Sequence, residues 1–310
     1  MPKEQPDFSQ HEQHVRQGVP SQLVPADSGS LVAYAPAKIN LNLLVGQKSA
    51  DGFHTVDSII CKISFYDKIT LSPRTDGLIK FSCTGIKCGS DEKNLALRSA
   101  RLIHSSAGNS GANIELVKKI PTGMGLGGGS SDAAAVLMGL NRLWRLGLGI
   151  DELSRLGASL GSDVPVFLYG VSSRVTGRGE IVSPARVHPF VAILCTPDFP
   201  CPTLHVYAEF DRSPVPMGRQ IDQVILEAEK PSRWRGMLEN QLFDAAERVC
   251  PQLSLIRRRL AGAVGLPVLM TGSGSGLFIL CDDLDQAQDY AERIPQDIAG
   301  NCRIVSQNPW

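Results

Sequence analysis

The chain lacks what several functional classes require. Its 31 basic and 31 acidic residues cancel, so no single-signed field draws it to nucleic acid or a membrane surface. No apolar run approaches the roughly 20 residues of a membrane helix. Eight cysteines are scattered without a CxxC pair, and no histidine-rich segment accompanies them. That pattern argues against zinc and fits reduced thiols in a cytosolic protein. No Gly-Lys-Ser/Thr closes a glycine run, so a Walker A loop is excluded. The His-Arg-Asp and Asp-Phe-Gly elements of protein kinases are missing too.

What is present is a globular composition, 43% hydrophobic and 20% charged over 310 residues, enough for one large or two ordinary domains. Residues 1–30 are rich in Gln, Pro, Ser and acids, without the apolar core of a secretory signal. They are expected to be a disordered extension. The Pro-rich stretch from Pro184 to Pro202 suggests a boundary, giving domains 31–184 and 185–310.

Ala37 to Val45 alternates, with Ile39, Leu41 and Leu43 on one face and Lys38, Asn40 and Asn42 on the other. The pattern predicts a half-buried strand. Ile59 to Leu71 reads as two β runs and Leu78 to Cys83 as another. Asn94 to Ser105 has helical spacing, and Ala112 to Ile120 alternates again. The loop IPTGMGLGGGSSD follows, and then a helical stripe from Ala133 to Trp144. Asp151 to Leu160 predicts a helix stopped by Gly161, and Ser173 to Val182 a hairpin turning at Gly-Arg-Gly. Beyond the boundary, helices are expected near 221–229, 241–248, 253–260 and 285–293. Strands are expected at 190–195, around TGSGSG (Val268 to Leu280) and at 303–305.

The glycine loop joins a strand to a helix. Its Gly123, Gly125 and Gly128 match GxGxxG, but Pro121 breaks the tight turn and no acid-ended second strand follows. A dinucleotide site is therefore a poor reading. Two others stay open on the loop alone. Glycines admit backbone N–H groups close to a phosphate, at a helix start carrying positive partial charge. Equally, the loop is a turn between packed elements, with Ser131 or Asp132 as helix cap.

Three stretches settle the resemblance. PTGMGLGGGSSDAA resembles the second motif of the GHMP kinases, the galactokinase, homoserine kinase and mevalonate kinase superfamily. APAKINLNL resembles its first motif and TGSGSGLF its third, all in the expected order. ADGFHTVDSI and GSDVPVFL are similar to the branch whose acceptor is a cytidyl diphosphate-linked polyol of non-mevalonate isoprenoid synthesis. The likeness spans about residues 31–305.

The resemblance implies an α+β, two-domain GHMP kinase fold, with a ribosomal-S5-domain-2-like N-terminal half and a ferredoxin-like C-terminal half. It implies a cytoplasmic enzyme acting on a small molecule with ATP and Mg²⁺. Asp163 becomes the catalytic base, although Asp before Pro165 also suits a helix cap. Lys38 becomes the catalytic lysine, where a strand lysine would otherwise face solvent. Pro121, Thr122, Gly123, Met124, Gly125, Leu126, Gly127, Gly128, Gly129, Ser130 and Ser131 cradle ATP, and Asn94 flanks adenine. Asn40, Phe53, His54, Thr203 and Tyr207 meet the acceptor, with Phe53 and His54 at the cytosine. Phe stands where the family often has Tyr, so a phenol contact is lost. Ser130 or Ser131 is the candidate metal hydroxyl, and the other metal ligands have no motif. The rivals are homoserine or mevalonate kinase activity and a non-catalytic nucleotide sensor.

Overall fold

In the computed structural model, residues 23–26, 29–50, 52–86, 91–106, 108 and 110–307 are described. Strands β1 (Leu23–Pro25), β2 (Leu31–Lys48), β3 (His54–Arg74), β4 (Ile79–Gly85), β5 (Gly111–Lys118), β6 (Ser172–Thr176) and β7 (Ile181–Pro184) form one seven-stranded sheet. Helices α1 (Leu95–His104), α2 (Gly128–Leu143) and α3 (Ile150–Leu160) belong to the same half. A second sheet runs β11 (Cys302–Ser306), β8 (Val191–Cys195), β10 (Leu277–Cys281), β9 (Leu269–Met270), all antiparallel. With it go α4 (Thr203–Phe210), α5 (Phe243–Val249), α6 (Pro251–Val264) and α7 (Leu284–Arg293).

The two β runs expected within 59–71 are one 21-residue strand. β3 pairs with β2 along one side, from Leu31↔Leu71 to Lys48↔His54. Its other side is shared between β6 at 58–61 and β5 at 68–74. A register shift opposite Pro36/Ala37 separates these halves, and such a bulge sharpens local twist without ending the strand. Ala33, Ala35, Ile69 and Leu71 pack with α1 and α2, whereas Ala37, Ile39, Leu41, Ile59 and Ile63 pack with Leu194, Phe278 and Leu280 of the second sheet.

β2 was expected to be half-buried and is buried on both faces. Lys38, Asn40 and Asn42 are 4%, 5% and 2% exposed. Alternation reported the faces correctly but not their cover, since later parts of the chain close over the polar side. Asn42 Oδ1 accepts the Glu239 N–H at 2.7 Å, and its Nδ2 donates to Gln220 Oε1 at 2.6 Å.

Three other expectations change. Leu23–Pro25, placed within a disordered extension, is a strand paired with Ala33–Leu31; the rest of that extension through residue 22 lies outside the described residues. Cys83 is disulfide-bonded, against the expectation of reduced thiols throughout; Cys61, Cys195, Cys201, Cys250, Cys281 and Cys302 are free. α4 was not anticipated, because CPTLHVY offers neither a side-chain cap nor a clear apolar stripe. No helix among the described residues is long and apolar enough to cross a membrane.

Candidate active site

A cleft of about 600 Å³ gathers residues from both halves. Lys38, Asn40 and Ser58 come from β2 and β3. Gly125 and Ser130 come from the first glycine loop and the start of α2, and Asp163 from the turn after α3. Gly272 and Ser273 come from the second glycine loop. Lys48, Phe53, His54, Arg178, Thr203, Tyr207 and Asp211 also line it.

Lys38 is held from several sides. Its Nζ donates to Asn40 Oδ1 at 2.5 Å, and its backbone N–H donates to Leu126 O at 3.0 Å. Burial pulls its pKa below the usual lysine range, while Asp163 pulls it back up. Asn40 Nδ2 donates to Ser58 Oγ at 2.8 Å, and its N–H donates to Thr271 Oγ1 at 3.1 Å. Each bond here is worth about 1 kcal/mol net, but a buried amide or amine left unpaired costs about 1–3 kcal/mol or more. Satisfaction of the network, not its strength, makes these polar residues tolerable on a covered strand.

Asp163 does not cap a helix. The short 3₁₀ turn Pro165–Phe167 starts after Val164, which makes no side-chain cap bond. Asp163 lines the cleft instead. Burial of the Tyr207 phenol, and then the Asp163 carboxylate, push that phenol up to about 12. The Phe167 ring behind it stands 2.9 Å from where a Cβ on Gly127 would lie, and Lys38 Cγ stands 3.1 Å from the same point.

α2 begins at Gly128, ahead of the stripe expected from Ala133 and of the expected caps Ser131 and Asp132. Its cap is Gly127, left-handed at φ +68° and with no side-chain acceptor. The first-turn N–H groups are therefore not consumed by a capping side chain. Neither Ser131 nor Asp132 is the cap. Within the loop Gly125 and Ser130 line the cleft, while the side chains of Met124 and Leu126 turn into the core between the sheets. Ser131 is 1% exposed, and its Oγ is buried without a hydrogen bond.

A buried network that sequence reasoning missed ties the loop's two ends. Asp67 Oδ1 accepts N–H bonds from Lys119 at 2.5 Å and Ile120 at 2.8 Å, just before the loop. Lys118 Nζ bonds Asp67 and also Asp132 Oδ2 at 2.7 Å, just after the loop. Burial, opposed by Lys118 and assisted by Asp67, pushes the Asp132 carboxyl up to about 7. The three groups lie 51 and 14 residues apart in sequence; the pairing of β3 with β5 brings Asp67 to Lys118, and the start of α2 brings Asp132.

His54 is fixed by Asp211. Its Nε2 lies 2.6 Å from Asp211 Oδ1, and Lys48 Nζ reaches Asp211 Oδ2 at 3.0 Å. Burial raises the Asp211 pKa, but the bonds from Lys48 and His54 outweigh it and hold the group below the usual carboxylate range. Tyr207 and Phe210 pack on the His54 ring, at centroid distances of 5.1 and 5.9 Å. Phe53 is 56% exposed, with the Arg178 guanidinium 5.1 Å from its ring centre. Thr203 Oγ1 meets Ser273 Oγ at 2.9 Å. Asn94 stands apart from the cleft lining. Its Oδ1 caps α1 by accepting the Ala96 N–H at 2.9 Å, and Leu95 beside it reaches toward Gly129.

Residues 94–171 match the family model for the GHMP kinases N terminal domain, and 226–299 the model for the GHMP kinases C terminal. A 4-diphosphocytidyl-2-C-methyl-D-erythritol kinase of Shouchella clausii is 37% identical over 87% of this chain and 91% of its own. One of Chromobacterium violaceum is 37% identical over 86% and 91%. A crystal structure of 4-(cytidine 5'-diphospho)-2C-methyl-D-erythritol kinase superposes with a TM-score of 0.75 at 33% identity, covering 89% of this chain and 99% of that one. Homoserine kinase from Cytophaga hutchinsonii shares the fold, with a TM-score of 0.65 at 18% identity over 92% and 96%.

Proposed function

The chain belongs to the GHMP kinases and, within them, to the 4-diphosphocytidyl-2-C-methyl-D-erythritol kinases, and from that premise we propose how its cleft works. It is an ATP-dependent kinase that phosphorylates the 2-hydroxyl of 4-diphosphocytidyl-2-C-methyl-D-erythritol on the non-mevalonate route to isoprenoid precursors. In our reading residues 31–184 bind ATP and carry the catalytic groups, and 185–310 complete the cleft. In the same reading the enzyme works in the cytoplasm, where ATP is at hand as donor.

The observation that carries the site assignment is that Lys38, Asp163 and Ser130 share one cleft with Phe53 and His54. The glycine loop and the uncapped start of α2 hold the phosphates of ATP through backbone N–H groups. Met124 and Leu126 contribute backbone only, since their side chains are core. Asn94 supports the adenine side by fixing α1. Lys38, coupled to Asp163, sets positive charge beside the transferring phosphoryl.

Asp163 need not ionise the hydroxyl beforehand. An alcohol titrates near water, at about 15.7, and a carboxyl at about 3.9, so complete transfer in advance would cost roughly 16 kcal/mol at about 1.36 per unit. In a loose phosphoryl-transfer transition state the nucleophile is scarcely bonded. Asp163 therefore orients the hydroxyl first and takes its proton as the new P–O bond forms.

Phe53 stacks on the cytosine. His54, giving its Nε2 proton to the bond with Asp211, presents Nδ1 to the base's amino group. Tyr207 packs behind His54, and Thr203 borders the polyol beside Ser273. For the metal, no cluster of three His, Cys, Asp or Glu residues exists among the described residues. The site fits an ion held largely by phosphate and water, as Mg²⁺ is, with the cleft-facing Ser130 as the hydroxyl that would meet it. When bound with ATP it offsets charge on the phosphates.

The test is ADP release with the cytidyl erythritol, mevalonate and homoserine offered separately, in wild type and Asp163→Asn. We expect turnover with the first alone, and a loss of orders of magnitude in the variant with ATP binding kept. Activity only on mevalonate or homoserine overturns the acceptor; near-normal turnover in the variant removes Asp163 as base.

A further inference from the structure

Lys62 is 1% exposed, and among the described residues no carboxylate pairs with it. Its Nζ donates to two backbone carbonyls, Phe167 O at 3.0 Å and Tyr169 O at 2.5 Å. Its backbone N–H donates to Val171 O at 3.0 Å. A buried amine without a counter-charge is costly, and an apolar side chain of similar length would fill the space without that cost. The placement needs a reason beyond packing.

The ladder supplies one. Lys62 stands directly opposite Lys38 in the β2–β3 pairing, and directly opposed residues of an antiparallel pair project to the same face. Two lysines thus lie under one segment, residues 163–169. Lys38 lines one cleft with Asp163 at its start. Lys62 grips the carbonyls at its end. Between them is a single 3₁₀ turn, held by the Phe167 N–H to Val164 O and the Leu168 N–H to Pro165 O. So short a turn has little stiffness of its own. Val164, Phe167 and Leu168 anchor its apolar side in the core with α2 and α3, and Val166 packs on Ile60, so what is left to fix is the polar side, where the cleft-lining Asp163 and the two carbonyls lie.

We propose that Lys62 is a positioning residue for phosphoryl transfer: by fastening the carbonyl end of the turn that follows Asp163, it fixes where that carboxylate stands against Lys38 and the acceptor hydroxyl. The proposal rests on the reading of Asp163 as base. A catalytic group displaced by an ångström loses up to about 100-fold in rate, while binding contacts elsewhere are untouched.

The experiment is a double-mutant cycle in the full-length enzyme, with ATP and the cytidyl erythritol. Lys62→Met should lower kcat by about 10- to 100-fold and leave both KM values within about 2-fold. Lys62→Gln, which keeps an N–H donor on a shorter stem, should fall between Met and wild type. In an Asp163→Asn background, Lys62→Met should cost little further kcat, because the two act through one carboxylate. If the Met variant fails to fold by thermal unfolding, the cycle is run with Gln. Unchanged kcat, a rise in KM alone, or the same fold-loss with and without Asp163 overturns the proposal while leaving the base intact. Normal turnover in Asp163→Asn alone overturns both.

Discussion

Thr271 rests directly on Gly125, joining the two glycine loops backbone to backbone. The Thr271 hydroxyl donates to Gly125 O at 3.0 Å, and a Cβ on Gly125 would stand 2.0 Å from Thr271 O. Gly125 is also left-handed, at φ +69°. Gly125→Ala therefore meets both a forbidden backbone and a backbone clash that no rotamer relieves. We expect ATP affinity and turnover to fall together by about 100-fold or more, as loop and cleft shift by ångströms. Titration with a fluorescent ATP analogue and steady-state rates check it, and an unimpaired variant would mean the loops part without consequence.

Phe53 makes a separate forecast. A core phenylalanine would not be 56% exposed in a cleft. Phe53→Ala should raise the KM for the cytidyl acceptor by about 10-fold, a stacked base being worth about 1–3 kcal/mol, and leave that for ATP near wild type. Equal weakening of both substrates would show a general loss of shape. Phe53→Tyr should keep the stack.

Asp211 sets the proton position on His54, through the 2.6 Å bond to Nε2. Asp211→Asn leaves the size but permits the other tautomer, so Nδ1 no longer reliably accepts. The acceptor KM should rise by several-fold to about 10-fold, the range of one hydrogen bond at about 1 kcal/mol, with kcat little moved. A drop confined to kcat would place Asp211 with the reacting groups instead.

Lys62 also marks the stability curve. Burial holds its amine down at about 7 against an ordinary 10.5. Between those values the unfolded chain binds a proton that the folded chain does not, so stability rises with pH across the window. Below about 7 both states are protonated and this group adds no slope. Urea unfolding from pH 6 to 10 should show wild type gaining on Lys62→Met by about 1 kcal/mol per pH unit above 7. Parallel curves would show that the amine titrates as it does in the unfolded chain.

The sequence made β2 and the glycine loop legible through alternation and clustered glycines, whereas Asp163 stood out only through the family resemblance of GSDVPVFL, an Asp before Pro165 reading locally as a cap. It did not reveal Asp67, Lys118 or Lys62. Each is an ordinary charge in a strand run, and IICKISF reads Lys62 as the solvent side of a β pattern. Its partners, the carbonyls of Phe167 and Tyr169, are backbone atoms 105 and 107 residues away, and backbone acceptors leave no trace in residue type. Asn94, expected beside adenine, instead caps α1 through a bond to the Ala96 N–H only two residues on. The first turn of α2 was hidden because three successive glycines have low helix propensity, yet Gly128 has no room for a side chain: Ile120 Cγ2 and Lys118 Nζ lie within 2.9 Å of its would-be Cβ.

The bond from the Asn40 N–H to Thr271 Oγ1 spans 231 residues, and β11, the last strand, lies beside β8 and reaches back to Ser64 through Ser306. The wall beside Lys38 is therefore finished by residues made long after it. During synthesis the glycine loop, Lys38 and Asp163 all leave the ribosome well before Thr271 and β11, and closing such distant contacts is slow. A chain cut before Thr271 would keep Lys38, Asp163 and the first glycine loop and still lack the contacts that close the polar face of β2.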